Sequence, residues 1–565
     1  MSGWSANSAD RLPAVLSLGV LLLLLATAAL RMPHPFDLEW MEGGMLVHAQ
    51  RVVDGQPLYV RPSADFVPFI YPPLYHYVLG GLGAIFGVSH PLGRAISLVG
   101  SLAAAAAAAV AVRREGAGWG LAAAAAGLFL SGYDDTGTFF DLVRADGLTI
   151  GLLSWALVLG RAGAPVPAGL LLAAAFAAKH NAAAFGLPML VWISLEQGRA
   201  AGLRFGLASV LPALAFLAVM QLEGDGLFLT YLLGVPAAHP MVGTRVFPGT
   251  FQELGAALPL PCALLLGALT LRLRRGALSL PTEGRRGWGI ALAVGLAGAA
   301  LAGALSPTNT EPLGPWLGLV VGAGVAVGAL CLLALALSLR AGGPVPATPG
   351  DRFWVANGAL AVVLSAVMRG HHGGFVNVLI PGLWALSVGG ALALHRLRAA
   401  APEGWIGGWG PALGALALSA QLGLGLWSPA DKAPRPGDRE AGEALVARLA
   451  AEPGPVWVPS SPWLAVQAGH AAGPHLIALW DITHKDGPLD FGRGELKAAV
   501  TAQRWALIIG DNARPEADLK GYGLQEAYRR AEDFTPAGQA LAPRVGWRSR
   551  PRWGWRPRAE APLKR

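Results

Sequence analysis

A short run of acids opens the first polar stretch of this chain: Phe36-Asp37-Leu38-Glu39-Trp40-Met41-Glu42, which follows the apolar run Leu12–Leu30. Carboxylates beside a hydrocarbon segment cost energy to hold, and they mark function more often than accident. A carboxylate placed there can take the proton from an attacking hydroxyl or amine. Asp37 and Glu39 are the candidate bases. Their i, i+2 spacing aims them to different sides of an extended chain, so one of the two faces a site. Other chemistry-bearing residues recur along the chain. Tyr133–Asp146 carries Asp134, Asp135, Asp141, Arg144 and Asp146, and Lys179-His180-Asn181 interrupts an apolar region. His239 and Arg245 stand in a later loop, and Arg369-Gly370-His371-His372-Gly373-Gly374 in another. Arginine holds phosphate through a bidentate fork and lysine as a point charge. Trp40, Tyr59, Phe66, Phe69, Tyr71 and Tyr75 add an aromatic wall that suits a sugar face and a lipid-headgroup boundary. Together these residues point to chemistry on a phosphorylated lipid.

Each group has a plainer reading beside the functional one. Asp37 and Glu39 could be headgroup-level charges, and Arg144 with Asp146 a structural ion pair at a helix N-terminus. Lys179 could snorkel to the interface. His371 and His372 form either a tight turn or part of a metal site, although adjacent histidines point differently. Tyr71-Pro72-Pro73 could simply begin a helix, since proline suits a first turn.

The elements that must carry these residues are membrane spans. The 565 residues are 54% hydrophobic and 14% charged with mean hydropathy +0.48, whereas soluble domains carry about 25% charged residues. The composition predicts an all-α polytopic membrane protein and no nucleic-acid partner. Glycines and alanine runs such as Ala103–Ala109 let helices approach closely in lipid. Cys262 and Cys331 both sit in apolar segments and read as inert packing, with no disulfide framework. Ala26-Thr27-Ala28 has the form of a cleavage site, but Arg11 beside Asp10 is a weak basic flank, so Leu12–Leu30 reads as an uncleaved span.

Basic connections at Arg113-Arg114, Arg161, Arg199–Arg204, Arg272–Arg286, Arg340–Arg352 and His395–Arg398 set the orientation when all are cytoplasmic. The spans then run over about 12–30, 92–112, 118–133, 147–160, 165–178, 183–195, 203–221, 256–271, 288–305, 315–339, 353–368, 375–394 and 405–427, each near the ~20 residues a bilayer needs. That is about 13 transmembrane helices, with the candidate residues gathered on the external side. Leu74–Val88 is left over and reads as an interfacial or re-entrant helix. Residues 31–91 become one external loop, in which Glu42–Val53 is expected to skim the membrane. From about residue 428 the composition turns polar. Arg439–Ala451 and Gly494–Gln503 read as helices, and Pro455–Val458 and Ala506–Gly510 as buried strands, which predicts a small C-terminal soluble α/β domain over 428–565. The basic stretch from Arg544, with Trp547, Trp553 and Trp555, reads as a disordered tail near headgroups.

These pieces resemble the GT-C superfamily of integral-membrane glycosyltransferases, in particular its glycosyltransferase family 39-like branch, which includes protein O-mannosyltransferases and the aminoarabinose transferase of lipid A. The matching residues are Asp37 and Glu39, Tyr71-Pro72-Pro73-Leu74, Leu142-Val143-Arg144-Ala145-Asp146 and Ala178-Lys179-His180-Asn181. The resemblance implies a GT-C-like membrane domain over 1–427. It implies inverting transfer of a sugar from a polyprenyl-phosphate donor to a glycan, lipid or protein acceptor on the extracytoplasmic face, and the bias toward Ala, Gly, Arg and Pro suggests a bacterial inner membrane. Asp37 or Glu39 would be the base, and Arg144, Lys179 and Arg245 would hold the donor phosphate. Asp146, Asp141, His180, His371, His372 and Tyr71 would support the site or the acceptor. Some relatives bind a divalent metal ion, for which Asp37, Asp134, Asp135 and Asp141 are the candidate ligands. The chain departs from the family in its Asp-x-Glu pair, where adjacent Asp-Glu is usual, and in Lys-His-Asn, where Lys-Gly or Lys-Gln is usual. Two other classes remain open: a flippase of lipid-linked sugar, and a scaffold whose external domain binds envelope glycans.

Overall fold

The computed structural model describes residues 10–274, 348–400, 405–483, 487–511, 519, 521–535 and 540–558. Helix α1 (Arg11–Arg31) leads into a loop carrying α2 (Glu42–Val53) and α3 (Leu74–Phe86). The bundle continues with α4 (His90–Arg114), α5 (Trp119–Ser131), α6 (Ala145–Arg161), α7 (Pro165–Ala178), α8 (Gly186–Glu196) and α9 (Arg199–Leu222). After α10 (Thr250–Ala257) come α11 (Pro259–Arg274), α12 (Pro349–Gly370), α13 (Ile380–Ala400) and α14 (Trp405–Leu424). Five helices among the described residues are long and apolar enough to cross a bilayer: Arg11–Arg31, His90–Arg114, Arg199–Leu222, Gly350–Gly370 and Val376–Ala399. They mark a multi-pass membrane protein. Leu12, Val15, Leu18 and Leu22 on α1, and Leu203, Leu207, Val210 and Leu214 on α9, turn outward, as lipid-facing residues do. The spans expected over 288–305 and 315–339, and Cys331, lie outside the described residues, and the connection expected over Arg272–Arg286 leaves them after Arg274. Every other expected span is helical.

Glycine sets the closest helix pair. A Cβ on Gly147 of α6 would sit 2.1 Å from the Ser97 carbonyl oxygen of α4, and one on Gly100 would sit 2.3 Å from that of Gly147. Ser97 and Ser101 of α4 then reach the carbonyls of Arg144 and Phe140 at 2.7 and 3.0 Å. The segment before α6 is thereby held to α4 by backbone acceptors, and α6 opens with Arg144 as its N-cap.

Beyond α14 lie α15 (Asp438–Ala450), β1 (Val456–Trp457), α16 (Pro462–Gln467), α17 (Leu476–Ile482), α18 (Gly492–Thr501), β2 (Leu507–Asp511), β3 (Tyr528–Asp533) and β4 (Pro551–Pro557). The sheet has the order β1-β2-β4-β3, with β1 and β2 parallel and the other pairs antiparallel. Two expectations are corrected here. Residues 551–557 are not a loose tail. They form an inner strand, paired on both sides by β2 and β3, with Pro551, Gly554 and Trp555 buried. Nor does α2 skim a surface: Glu42–Ala49 are all buried, since Trp463 of α16 and α3 cover it. Trp40, Met45, Phe69 and Tyr75 of the first loop share one core with Trp457, Trp463, Leu476 and Trp505.

Candidate active site

The loop after α1 is pinned by a buried ion pair. Arg94 of α4 meets Glu42 with Nε at 3.0 Å from one carboxylate oxygen and Nη2 at 2.7 Å from the other, and both side chains have 0% exposure. The same guanidinium donates to the carbonyls of Arg31, His34 and Phe36 at 2.9, 2.6 and 2.7 Å. Glu42 also accepts the backbone N–H groups of Leu38 and Val143 at 2.7 and 2.8 Å. Burial alone would raise its pKa, but Arg94 overcomes that and holds it down to about 2. A second buried pair, Arg31 with Asp141 at 3.1 Å, is joined by the Tyr133 hydroxyl at 2.9 Å.

On this brace the two candidate bases diverge. Asp37 meets His90 Nε2 at 2.7 Å, beside a small crevice that includes Ser461 and Gln467. Burial raises its pKa, against the hydrogen bond from His90. Glu39 faces Arg144 Nη1 at 3.4 Å and accepts the Met41 N–H at 3.2 Å. It is 2% exposed, and burial pushes its pKa up to about 7 although Arg144 pulls the other way. Arg144 lies under the Tyr71 ring, 5.7 Å from its centroid. Arg144's own pKa is raised: burial would lower it, but Glu39, Tyr71 and Asp146 outweigh burial.

Two residues on from Arg144, Asp146 takes Lys179 Nζ at 2.6 Å, and Asn377 donates to the same Asp146 oxygen at 2.8 Å. Lys179 is buried rather than extended to an interface, and Asp146 pairs with Lys179, whereas the ion pair of Arg144 is with Glu39. A small crevice is lined by Asp146, Thr149, Lys179, Asn181 and Asn377. His180 stands beside them, its pKa lowered to about 4 by burial and then by Lys179 and His371. His371 meets His239 at 3.2 Å, and His239 in turn meets the Asp481 carbonyl at 2.8 Å.

The remaining expected residues have other partners. Arg245 is exposed and donates to the His372 carbonyl at 3.3 Å. Asp134 pairs with Lys432, and Asp135 is exposed. Asp37, Asp134, Asp135 and Asp141 are therefore not gathered into a metal site. The one cluster of metal-ligand type among the described residues is Asp37, Glu42 and His90. It fits a cation poorly, because both Glu42 oxygens already accept from Arg94 and backbone N–H groups.

Sequence reasoning missed Arg94, Arg31, His90, Asn377 and Asp481. Arg94 carried a signal, a charge four residues into an otherwise apolar helix. Asp481 carried none.

No protein-family model matches the chain, and no curated protein matches it. Among solved structures it is similar to crystal structures of ArnT from Cupriavidus metallidurans. The apo form is 16% identical, with TM-score 0.41, over 96% of this chain and 97% of that one. The form bound to undecaprenyl phosphate is 15% identical, with TM-score 0.43 and the same coverage. Likeness that loose leaves function to the side chains of this chain.

Proposed function

We propose that this protein is a membrane glycosyltransferase. It moves a sugar from a polyprenyl-phosphate donor to a nucleophilic acceptor, with inversion, at the extracytoplasmic face of an inner membrane. One observation carries the reading: two buried cations, Arg144 and Lys179, both lie near enough to Asp146 to act on its carboxyl, and each is held by an acid, Glu39 and Asp146. Arg144 and Lys179 take the donor phosphate. The phosphate competes with Glu39 for the guanidinium and releases the carboxylate. Glu39 then accepts the proton of the acceptor hydroxyl or amine while its oxygen or nitrogen attacks the anomeric carbon. The bond from that carbon to the phosphate oxygen breaks, and its electron pair leaves on the phosphate, which the two cations stabilise. Asp146 and Asn377 keep Lys179 in place. Residues 1–427 carry this chemistry, and 428–565 form an external domain that closes over it.

The test feeds membranes containing the protein a labelled panel of polyprenyl-phosphate sugars. Transfer of label to lipid, glycan or protein, lost in Arg144→Ala and in Lys179→Ala, is the expected result. Movement of intact lipid-linked sugar across the membrane with no transfer would instead make it a flippase.

A further inference from the structure

The mechanism leaves one acid unused. Asp481 lies on α17, in the part of the chain beyond the bundle, yet Arg144 is near enough to act on its carboxyl electrostatically. Its side chain makes no hydrogen bond or ion pair with another described residue. Burial pushes its pKa up to about 8, against the pull of Arg144. The side chain is only half-buried, so its oxygens stay open to the hydroxyls of a ligand.

The residue before it, Trp480, belongs to an indole cluster. The Trp40 and Trp480 rings are 5.7 Å apart, Trp480 and Trp547 5.8 Å, and Trp40 and Trp547 6.5 Å. These rings come from three distant segments, and two of them adjoin Glu39. Trp40 follows it in sequence, and Gly546, next to Trp547, would place a Cβ 3.0 Å from the Glu39 carboxylate oxygen. The sheet and the first loop thus bring three indoles and one unpartnered acid to the place where Glu39 meets Arg144.

We propose that Asp481 and Trp480, with Trp40 and Trp547, form the subsite that grips the sugar ring of the donor, the carboxyl bonding ring hydroxyls and the indoles covering a C–H face. This rests on the phosphate-binding role of Arg144 proposed above. Pyranose rings present hydroxyls at their edge and C–H groups on their faces. A carboxyl can serve those hydroxyls in either protonation state, accepting when ionised and also donating when neutral. Indole gives broad apolar area with little rotamer freedom to lose. The donor sugar is the ring bonded to the phosphate that Arg144 holds, so it is the ring within reach of a group beside Arg144.

The experiment measures binding to the full chain in nanodiscs of bare undecaprenyl phosphate and of undecaprenyl phosphate carrying glucose, mannose or galactose. Wild type, Asp481→Ala and Trp480→Ala are compared. Wild type is expected to prefer at least one sugar-bearing lipid over the bare one. Both variants are expected to keep bare-lipid affinity within about twofold, which also shows that they fold, and to lose about tenfold for the preferred lipid. Equal weakening toward bare and sugar-bearing lipid would mean that Asp481 acts on the phosphate through Arg144, and it overturns the inference. Wild type that binds all four lipids equally also overturns it, leaving the phosphate reading intact. Wild type that binds none removes the phosphate reading and the inference with it.

Discussion

Replacing Arg94 by methionine should strip the first loop of its anchor. The side chain joins one carboxylate and three carbonyls and is fully buried. Methionine fills much of the same volume but leaves Glu42 charged in a dry site. The Glu42 carboxyl is held down from 4.5 to about 2, and at about 1.4 kcal/mol per tenfold that depression corresponds to about 3 kcal/mol. Loss of one partner of a buried pair independently suggests about 3–5 kcal/mol. The sign is that of a depressed acid: the stabilisation is complete above about pH 4.5 and is lost as pH falls toward about 2. Graded SDS unfolding near neutral pH should therefore show Arg94→Met less stable by about 3 kcal/mol. A paired Arg94→Met, Glu42→Gln variant should recover part of the loss, since the uncompensated charge is gone. A cost below about 1 kcal/mol, or a double variant no better than the single one, would refute the reasoning.

Three further outcomes follow from the same geometry. Lys179→Met should raise the donor KM by about tenfold or more, and Lys179→Arg should restore part of it; steady-state transfer kinetics read both. Gly147→Val drives a side chain into the Ser97 carbonyl of α4; it should cost about 1–3 kcal/mol in the same unfolding assay and slow transfer by displacing Arg144. Asp134→Ala should change the transfer rate by less than about twofold, because its pairing with Lys432 is exposed, and transfer should survive a chelator, because Glu42 is already saturated.

Much of the bundle was legible because long apolar runs broken by Gly, Pro and basic residues can satisfy their backbones in lipid only as helices. Arg144, Asp146 and Lys179 were legible as charges at helix ends. Their pairing was not: Asp146 takes Lys179 from the following helix and Arg144 takes Glu39, partners that packing selects and spacing does not encode. That Arg245 is exposed and bonded to the His372 carbonyl was not legible, because an exposed loop cation and a buried one look alike in sequence. The aromatic tail was misread because Trp553 and Trp555 are flanked by Arg552 and Arg556, a composition that suits a headgroup surface and a sheet strand equally. Asp481 stayed hidden because only the docking of α17 against the first loop brings it to Arg144.

The central claim is that Glu39, released from Arg144 by the donor phosphate, is the base. The most direct measurement is the pH profile of sugar transfer under kcat/KM conditions for wild type, Glu39→Gln and Asp37→Asn. Glu39 must be ionised to act and its pKa is pushed up to about 7. Wild-type transfer should therefore level off above about pH 7 and fall about tenfold per unit below about pH 6. Glu39→Gln should lose about 100-fold or more and retain binding of undecaprenyl phosphate, while Asp37→Asn keeps the wild-type profile shape. Transfer by Glu39→Gln near the wild-type rate, or its loss in Asp37→Asn alone, would contradict the account.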